Sequence, residues 1–166
     1  MAATNITKYR TAERLGKMDV DLIDVTPTCD TGGTDDADVL FDYVEIPNCV
    51  SVAQGSCLLH SIQLLDIDDV GGAIDLVFQT DSTSLGTVDA AVSITDANAA
   101  DILGSVSLSS YFDGINWQMS TKTNIGLIMK AASGTSSIYV AGVNRNGASV
   151  THTASGIVLR IGVIKD

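Results

Sequence analysis

The sequence contains few of the residues on which helical, disulfide-bonded and sugar-binding proteins depend. Of its 166 residues, 2 are Glu, 2 are Pro and 3 are Cys, and aromatic residues make up 5%. Glu favours helices, an odd number of cysteines cannot all pair within one chain, and sugar sites need aromatic platforms. The composition therefore argues against a helical bundle, a disulfide scaffold and a glycan-binding module.

Long apolar runs are also missing. The longest stretch without Lys, Arg, Asp or Glu, residues 46–65, contains proline, asparagine, glutamine and histidine, which makes it too polar to cross a bilayer. The composition as a whole, with 45% hydrophobic residues and a mean hydropathy of +0.27, is too apolar for a disordered chain. We therefore expect one globular domain that makes no membrane contact.

Basic residues are scarce and unevenly distributed. The chain has 9 basic and 20 acidic residues, yet the first 17 residues carry a net charge of +3 and the rest carry −14. We predict an extended N-terminal arm over residues 1–17 and a folded body over residues 18–166; the acidic body argues against nucleic acid as a partner. The arm is predicted to strap the protein to a neighbouring acidic surface. Its cations are Lys8, Arg10, Arg14 and Lys17.

The residues that are abundant favour strands and turns. Of the 20 acidic residues 18 are Asp, whose short carboxylate bonds nearby backbone N–H groups in turns. Several segments alternate apolar and polar residues with a period of two. Strands are predicted over residues 18–25, 39–46, 57–67, 73–80, 88–95, 105–109, 117–121, 125–131, 137–143 and 156–164. This pattern predicts an all-β, antiparallel β-sandwich with jelly-roll topology.

One short helix is predicted near residues 96–103. Thr95 and Asp96 offer capping oxygens at its start, and the alanines that follow favour helix. Gly104 stands where a helix commonly ends in the left-handed conformation.

Catalytic residues are not apparent. The two histidines, His60 and His152, are the candidate bases. His60 lies in an apolar strand and is predicted to be a core or interface imidazole, whereas His152 lies in a loop without a recognisable motif. Nucleophile-elbow, P-loop, dinucleotide-binding and zinc-protease motifs are all absent. We expect no enzymatic activity, no catalytic site and no cofactor, and we expect replacement of His60 to cost more stability than replacement of His152.

Two loops concentrate carboxylates that could bind Ca²⁺, which prefers several converging oxygens. The first contains Asp30, Asp35, Asp36 and Asp38, and the second contains Asp66, Asp68 and Asp69. Neither follows EF-hand spacing, so solvated turn carboxylates are the favoured interpretation and calcium binding is the open alternative. No metal site is predicted.

The three cysteines, Cys29, Cys49 and Cys57, have no zinc-ligand spacing with the two histidines. The sequence begins without the apolar run of a signal peptide, so folding is expected in a reducing cytoplasm. We predict three free thiols that are buried as small apolar side chains.

Three segments of the body resemble a group of short virion structural proteins of tailed bacteriophages, common among phages of aquatic bacteria including cyanobacteria. They are VLFDYVEIPNCVSV from residue 39, AIDLVFQTDSTSLGTVDAAVSITDANAADILG from residue 73 and TASGIVLRIGVIKD from residue 153. The most specific piece is SLGTVDAAVSITDANA, residues 84–99, and the arm is not part of the similarity. Such proteins are usually interpreted as capsid decoration, or cement, proteins.

The resemblance implies a non-enzymatic protein that binds the outer surface of a phage head and stabilises it. Its expected partners are the major capsid protein and further copies of itself, with a homotrimer matching the local three-fold points of an icosahedral shell. Its expected location is the virion, after folding in the host cytoplasm. Two alternatives stay open: a tail- or fibre-associated structural protein, and a glycan-binding, lectin-like module.

Overall fold

The computed structural model describes residues 19–165, and the predicted basic arm lies outside them. The strands are β1 (Asp19–Val25), β2 (Val39–Ile46), β3 (Ser56–Asp66), β4 (Ile74–Gln79), β5 (Ile102–Leu108), β6 (Phe112–Asp113), β7 (Gln118–Lys130), β8 (Ile138–Asn144) and β9 (Ile157–Lys165). A single-turn helix, α1 (Asp96–Ala99), lies between β4 and β5.

The strands form two antiparallel sheets that pack face to face. One has five strands in the order β1-β9-β3-β7-β6, and the other has four in the order β2-β8-β4-β5. Every strand pair is antiparallel. The prediction of an all-β antiparallel sandwich is confirmed.

The strand pairing is that of a jelly roll. Strand β1 pairs with β9, β2 with β8, β3 with β7 and β4 with β5. These nested pairs describe one long hairpin whose tip is the β4–β5 connection. Rolling that hairpin places alternate pairs in opposite sheets, which gives the eight-stranded double-sheet arrangement, with β6 added at one edge.

The core lies between the inner faces of the two sheets, because alternate residues of each strand point inward. Ile62 and Leu64 of β3 and Ile161 of β9 meet Leu76 and Phe78 of β4, and all five side chains are fully buried. The period-two pattern seen in the sequence therefore marks the core in these strands, whereas in β1 the apolar residues Val20 and Leu22 are exposed.

The β4–β5 connection, residues 80–101, packs against the outer face of the four-stranded sheet. Leu85 forms a second, smaller cluster with Val39, Ala141 and Val143, all buried. Backbone bonds of Val39 with residues 89 and 90 secure this covering segment to β2. The prediction of a strand over residues 88–95 is therefore wrong. These residues form only isolated bridges, to Val39 of β2 and to Asp38.

The predicted helix is shorter than expected. Thr95 caps α1 by accepting a hydrogen bond from the Asn98 backbone N–H, as predicted, but Gly104 lies within β5 and does not end the helix. There it faces Phe78 at φ 155°, and a Cβ would come within 2.8 Å of Leu127 Cδ1. Pairing of residues 102–108 with β4 outweighs the helix propensity of the alanines. Within residues 19–165 no helix is long and apolar enough to span a membrane.

Strand β7 was predicted as two strands, over residues 117–121 and 125–131, but it is continuous from Gln118 to Lys130. Residues 124–126 at its centre bulge opposite His60, because the register shifts from Leu59–Leu127 to Ser61–Thr123. His60 in turn is an extra, bulged residue of β3 against β9. The bulge absorbs the irregularity that the sequence pattern indicated as a break.

Candidate functional site

The outer face of the five-stranded sheet carries an apolar band. Val20, Ile164, Leu58 and Ile128 are register partners across β1, β9, β3 and β7, so their side chains form one row. Val20 and Ile128 are 70% and 72% exposed, and the adjacent Leu22 is 58% exposed. These five residues are called the apolar band below. Their exposure means that no part of residues 19–165 covers the band.

A polar row separates the band from the other end of the sheet. The Arg160 guanidinium donates to both carboxylate oxygens of Asp24, at 2.8 and 3.0 Å, and to Gln63 Oε1 at 3.3 Å. Asp24 and Arg160 are about half exposed, so solvent screens this pair. The hydrogen bond from Arg160 lowers the pKa of Asp24.

A second apolar row follows at the far end of the same face. Val158, Leu65, Met119 and Phe112 are successive register partners across β9, β3, β7 and β6. Phe112 is 63% exposed and its ring centroid lies 5.8 Å from that of Trp117. The outer face of the five-stranded sheet, called the bare face below, thus presents apolar side chains at both ends. This pattern suits burial against a partner.

Strand β1 is an edge strand, and a second ion pair joins it to β9. Lys165 Nζ, on a side chain that is only 7% exposed, lies 2.7 Å from Asp21 Oδ2. This hydrogen bond, together with one from the Leu22 backbone N–H, lowers the pKa of Asp21. The predicted partner-binding residues Lys8, Arg10, Arg14 and Lys17 precede β1 and lie outside the described residues. The first described residue, Asp19, is next to Val20 of the apolar band.

The structure reverses the burial that the sequence predicted for the two histidines, His60 in the core and His152 in a loop. His60 is exposed at the β3 bulge, whereas His152 is only 2% exposed. The expectation that His60 would cost more stability is therefore corrected: His152 is the buried imidazole, because its loop folds inward against the end of β3.

His152 lies against two aspartates of the second acidic loop. Its Nδ1 is 3.7 Å from Asp66 Oδ1 and 3.9 Å from Asp68 Oδ2. These three residues are called the His–Asp cluster. Burial lowers the pKa of His152, although the charges of Asp66 and Asp68 oppose that shift. Asp66 is 1% exposed, so its interpretation as a solvated turn carboxylate is wrong.

The first acidic loop behaves as the sequence suggested. Asp30 Oδ2 accepts hydrogen bonds from the Gly32 and Gly33 backbone N–H groups, and Asp36 Oδ1 accepts one from Gly147. Its carboxylates act as turn residues. Over residues 19–165, the His–Asp cluster alone brings three potential ligand side chains together.

All three cysteines are buried, as predicted. Burial and the charges of Asp68 and Asp66 raise the pKa of Cys29 to about 12. Cys49 Sγ and Cys57 Sγ lie 3.5 Å apart. The hydrogen bond between them lowers the pKa of Cys57 and raises that of Cys49.

No protein-family model matches the chain, and no curated protein matches it. Among solved structures, it is similar to a chain of Desmodium yellow mottle tymovirus, with 11% identity over 89% of this chain and 86% of that chain and a TM-score of 0.29. It is also similar to a chain of the full particle of Israeli acute paralysis virus heated to 63 degrees, with 13% identity over 99% and 79% of the two chains and a TM-score of 0.35. Functional inference therefore rests on the surfaces of this chain.

Proposed function

We propose that this protein is a non-enzymatic structural component of a virion, which decorates the outer surface of a phage head and stabilises it. The observation that supports this most directly is the apolar band on the bare face. Full burial of a Val, Leu or Ile side chain contributes about 1.5–3 kcal/mol. Three side chains of the band, Val20, Leu22 and Ile128, are mostly exposed and would gain from contact with a partner.

The charge distribution supports a protein partner. The acidic body disfavours nucleic acid, and the cationic segment that precedes β1 in the sequence suits an acidic protein surface. The resemblance of residues 39–166 to decoration proteins of tailed phages points to the major capsid protein as that partner. The arm would then strap the subunit either to the shell or to a neighbouring copy.

A homotrimer is the proposed assembly. Apolar residues on both faces of β4 do not require a neighbouring subunit, because Val77 packs beneath the covering segment. Strand β9 differs, since Val158 and Ile164 point to the bare face. We therefore propose that the subunits of the trimer contact each other through the bare face. The covering segment on the opposite side would remain exposed to solvent.

Two measurements test this proposal. Antibody labelling of intact virions in the electron microscope should show many copies distributed over the head, and label confined to the tail would instead support a tail- or fibre-associated protein. Light scattering at micromolar concentration should give the mass of a trimer. A strictly monomeric protein that is absent from purified heads would overturn the proposal, and binding on a glycan array would favour the lectin-like alternative.

A further inference from the structure

His152 is a buried polar side chain to which residues 19–165 give no hydrogen-bond partner. Both Nδ1 and Nε2 are buried without one. A buried polar group in this condition destabilises the fold unless something else satisfies it. Its Nδ1 faces the carboxylates of Asp66 and Asp68.

The separations within the cluster indicate what could lie between these groups. A charge-assisted hydrogen bond would bring nitrogen and oxygen to about 2.7–2.9 Å. A water that bridges them at a tetrahedral angle would hold them about 4.6 Å apart, whereas two ligands of one tetrahedral ion lie about 3.4 Å apart. The separations of 3.7 and 3.9 Å are closest to the last value. A contraction of a few tenths of an ångström would complete the coordination.

The negative charge of the His–Asp cluster also favours the binding of a cation. Two carboxylates lie beside a buried imidazole, and among residues 19–165 no Lys or Arg nitrogen lies within 4.0 Å of either carboxylate. Burial of negative charge is costly where no cation balances it, even when hydrogen bonds are made to the carboxylates. Burial, together with the charge of Asp66, raises the pKa of Tyr111, whose hydroxyl is also buried without a hydrogen-bond partner among residues 19–165.

The loops hold the carboxylates in place before any ion binds. Asp66 accepts three hydrogen bonds from backbone N–H groups of residues 68–71. Asp68 accepts from the Thr153 backbone N–H at 2.6 Å and from its hydroxyl at 2.9 Å. Gly156 leaves room for this carboxylate, since a Cβ there would collide with it. Such supporting contacts orient ligands in metal sites.

We propose that Asp66, Asp68 and His152 bind a divalent transition-metal ion that joins the β3–β4 loop to the β8–β9 loop. One imidazole and two carboxylates suit Zn²⁺ or Mn²⁺, whereas Ca²⁺ and Mg²⁺ prefer oxygen ligands alone. The ion would be structural, because its ligands come from the end of β3 and from two loops that meet at one end of the sandwich. Its binding free energy would add to the stability of the fold.

The test uses full-length protein that is stripped with EDTA, dialysed and titrated with ZnCl₂, MnCl₂ or CaCl₂ in a calorimeter. Zn²⁺ at 100 times its dissociation constant should raise the midpoint of thermal unfolding by about 5–10 °C. Mn²⁺ should bind more weakly and CaCl₂ should change nothing. If millimolar Zn²⁺ and Mn²⁺ neither bind nor stabilise the protein, or if Ca²⁺ alone does so, the proposal is wrong.

Matched variants locate the site. Asp68→Asn and His152→Gln should each weaken Zn²⁺ binding about 100-fold or more. Two variants serve as controls: Asp69→Asn, at an exposed position in the same loop, and His60→Gln, at the exposed histidine. Both should bind Zn²⁺ as tightly as the wild type. Asp68→Asn keeps the test valid if His152→Gln does not fold, because Asp68 is partly exposed. Unchanged binding in folded Asp68→Asn would overturn the assignment.

Discussion

The outer face of the four-stranded sheet is covered by the protein's own chain, whereas residues 19–165 leave the outer face of the five-stranded sheet bare. Leu85 of the covering segment is 1% exposed, and Ile128 on the bare face is 72% exposed. Both faces carry apolar side chains. An apolar outer face therefore does not by itself require a partner subunit, because a long connection can cover it.

The covering segment contains residues 84–99, on which the expected resemblance to phage virion proteins chiefly rests. The segment is 22 residues long, spans residues 80–101 and lies at the tip of the rolled hairpin. Packing beneath it constrains the apolar residues of this segment. The residues that carry the expected resemblance therefore complete the fold of the subunit, and the proposed contact lies on the opposite face.

The largest difference between the two faces should appear in stability. Leu85→Ala removes a buried side chain from the small cluster and should lower the free energy of unfolding by about 2–3 kcal/mol. Ile128→Ala on the bare face should change it by less than about 0.5 kcal/mol. Denaturant unfolding of dilute, monomeric protein measures both. Equal losses would mean that the bare face is buried within the subunit.

Trimer formation, in contrast to stability, should depend on the bare face and not on the covering segment. Val20→Lys and Ile128→Lys place charges in the apolar band and should abolish trimer formation, because a buried interface does not tolerate an unpaired ammonium. Val92→Lys, at a partly exposed position of the covering segment, is the matched control and should form trimers normally. Sedimentation velocity distinguishes the species. If both band variants still form trimers, the trimer interface lies on another surface.

Much of the fold was predictable from local pattern. Strand β2 has the predicted bounds, and β1, β3, β4, β8 and β9 agree within one residue or two at each end. Period-two alternation carries this information because each strand has one face in the core. The errors fall where distant contacts decide, as at Gly104, which the pairing of β5 with β4 places in a strand.

The candidate sites were less predictable. The apolar band depends on register across four strands, and the two histidines exchange burial because of a bulge at His60 and an inward-folded loop at His152. Neither effect leaves a local sequence pattern. The proximity of Asp66 and Asp68 was visible along the chain, but their approach to a residue more than 80 positions away was not.

The arm should contribute a smaller, electrostatic part of the attachment. Replacement of its four cations, Lys8, Arg10, Arg14 and Lys17, by Ser should weaken binding to purified shells several-fold. Raised salt should weaken the wild type in the same direction, since exposed charges are screened within about 8 Å at physiological ionic strength. Unfolding of the body should be unchanged. Equal occupancy of wild type and variant at low and high salt would show that the arm is not a strap.

The smallest effect concerns the edge of the bare face at low pH. Hydrogen bonds from Lys165 and Arg160 lower the pKa values of Asp21 and Asp24 in β1. A carboxyl whose pKa is lower in the folded state stabilises that state above its unfolded value, about 3.9, and loses the contribution as pH falls through the folded value. Solvent exposure makes the contribution small.

Acidification from pH 6 to below about 4 should therefore increase hydrogen exchange in β1 before it does so in β5. Strand β5 is the internal reference because it is an edge strand of the covered sheet. Asp24→Asn should increase exchange in β1 already at neutral pH, while β5 is unaffected. Since β1 carries Val20 and Leu22, its release would also remove two residues of the apolar band and weaken trimers in acid. Simultaneous exchange of β1 and β5 at every pH would mean that the two edges open as one unit, and that these ion pairs do not secure the bare face separately.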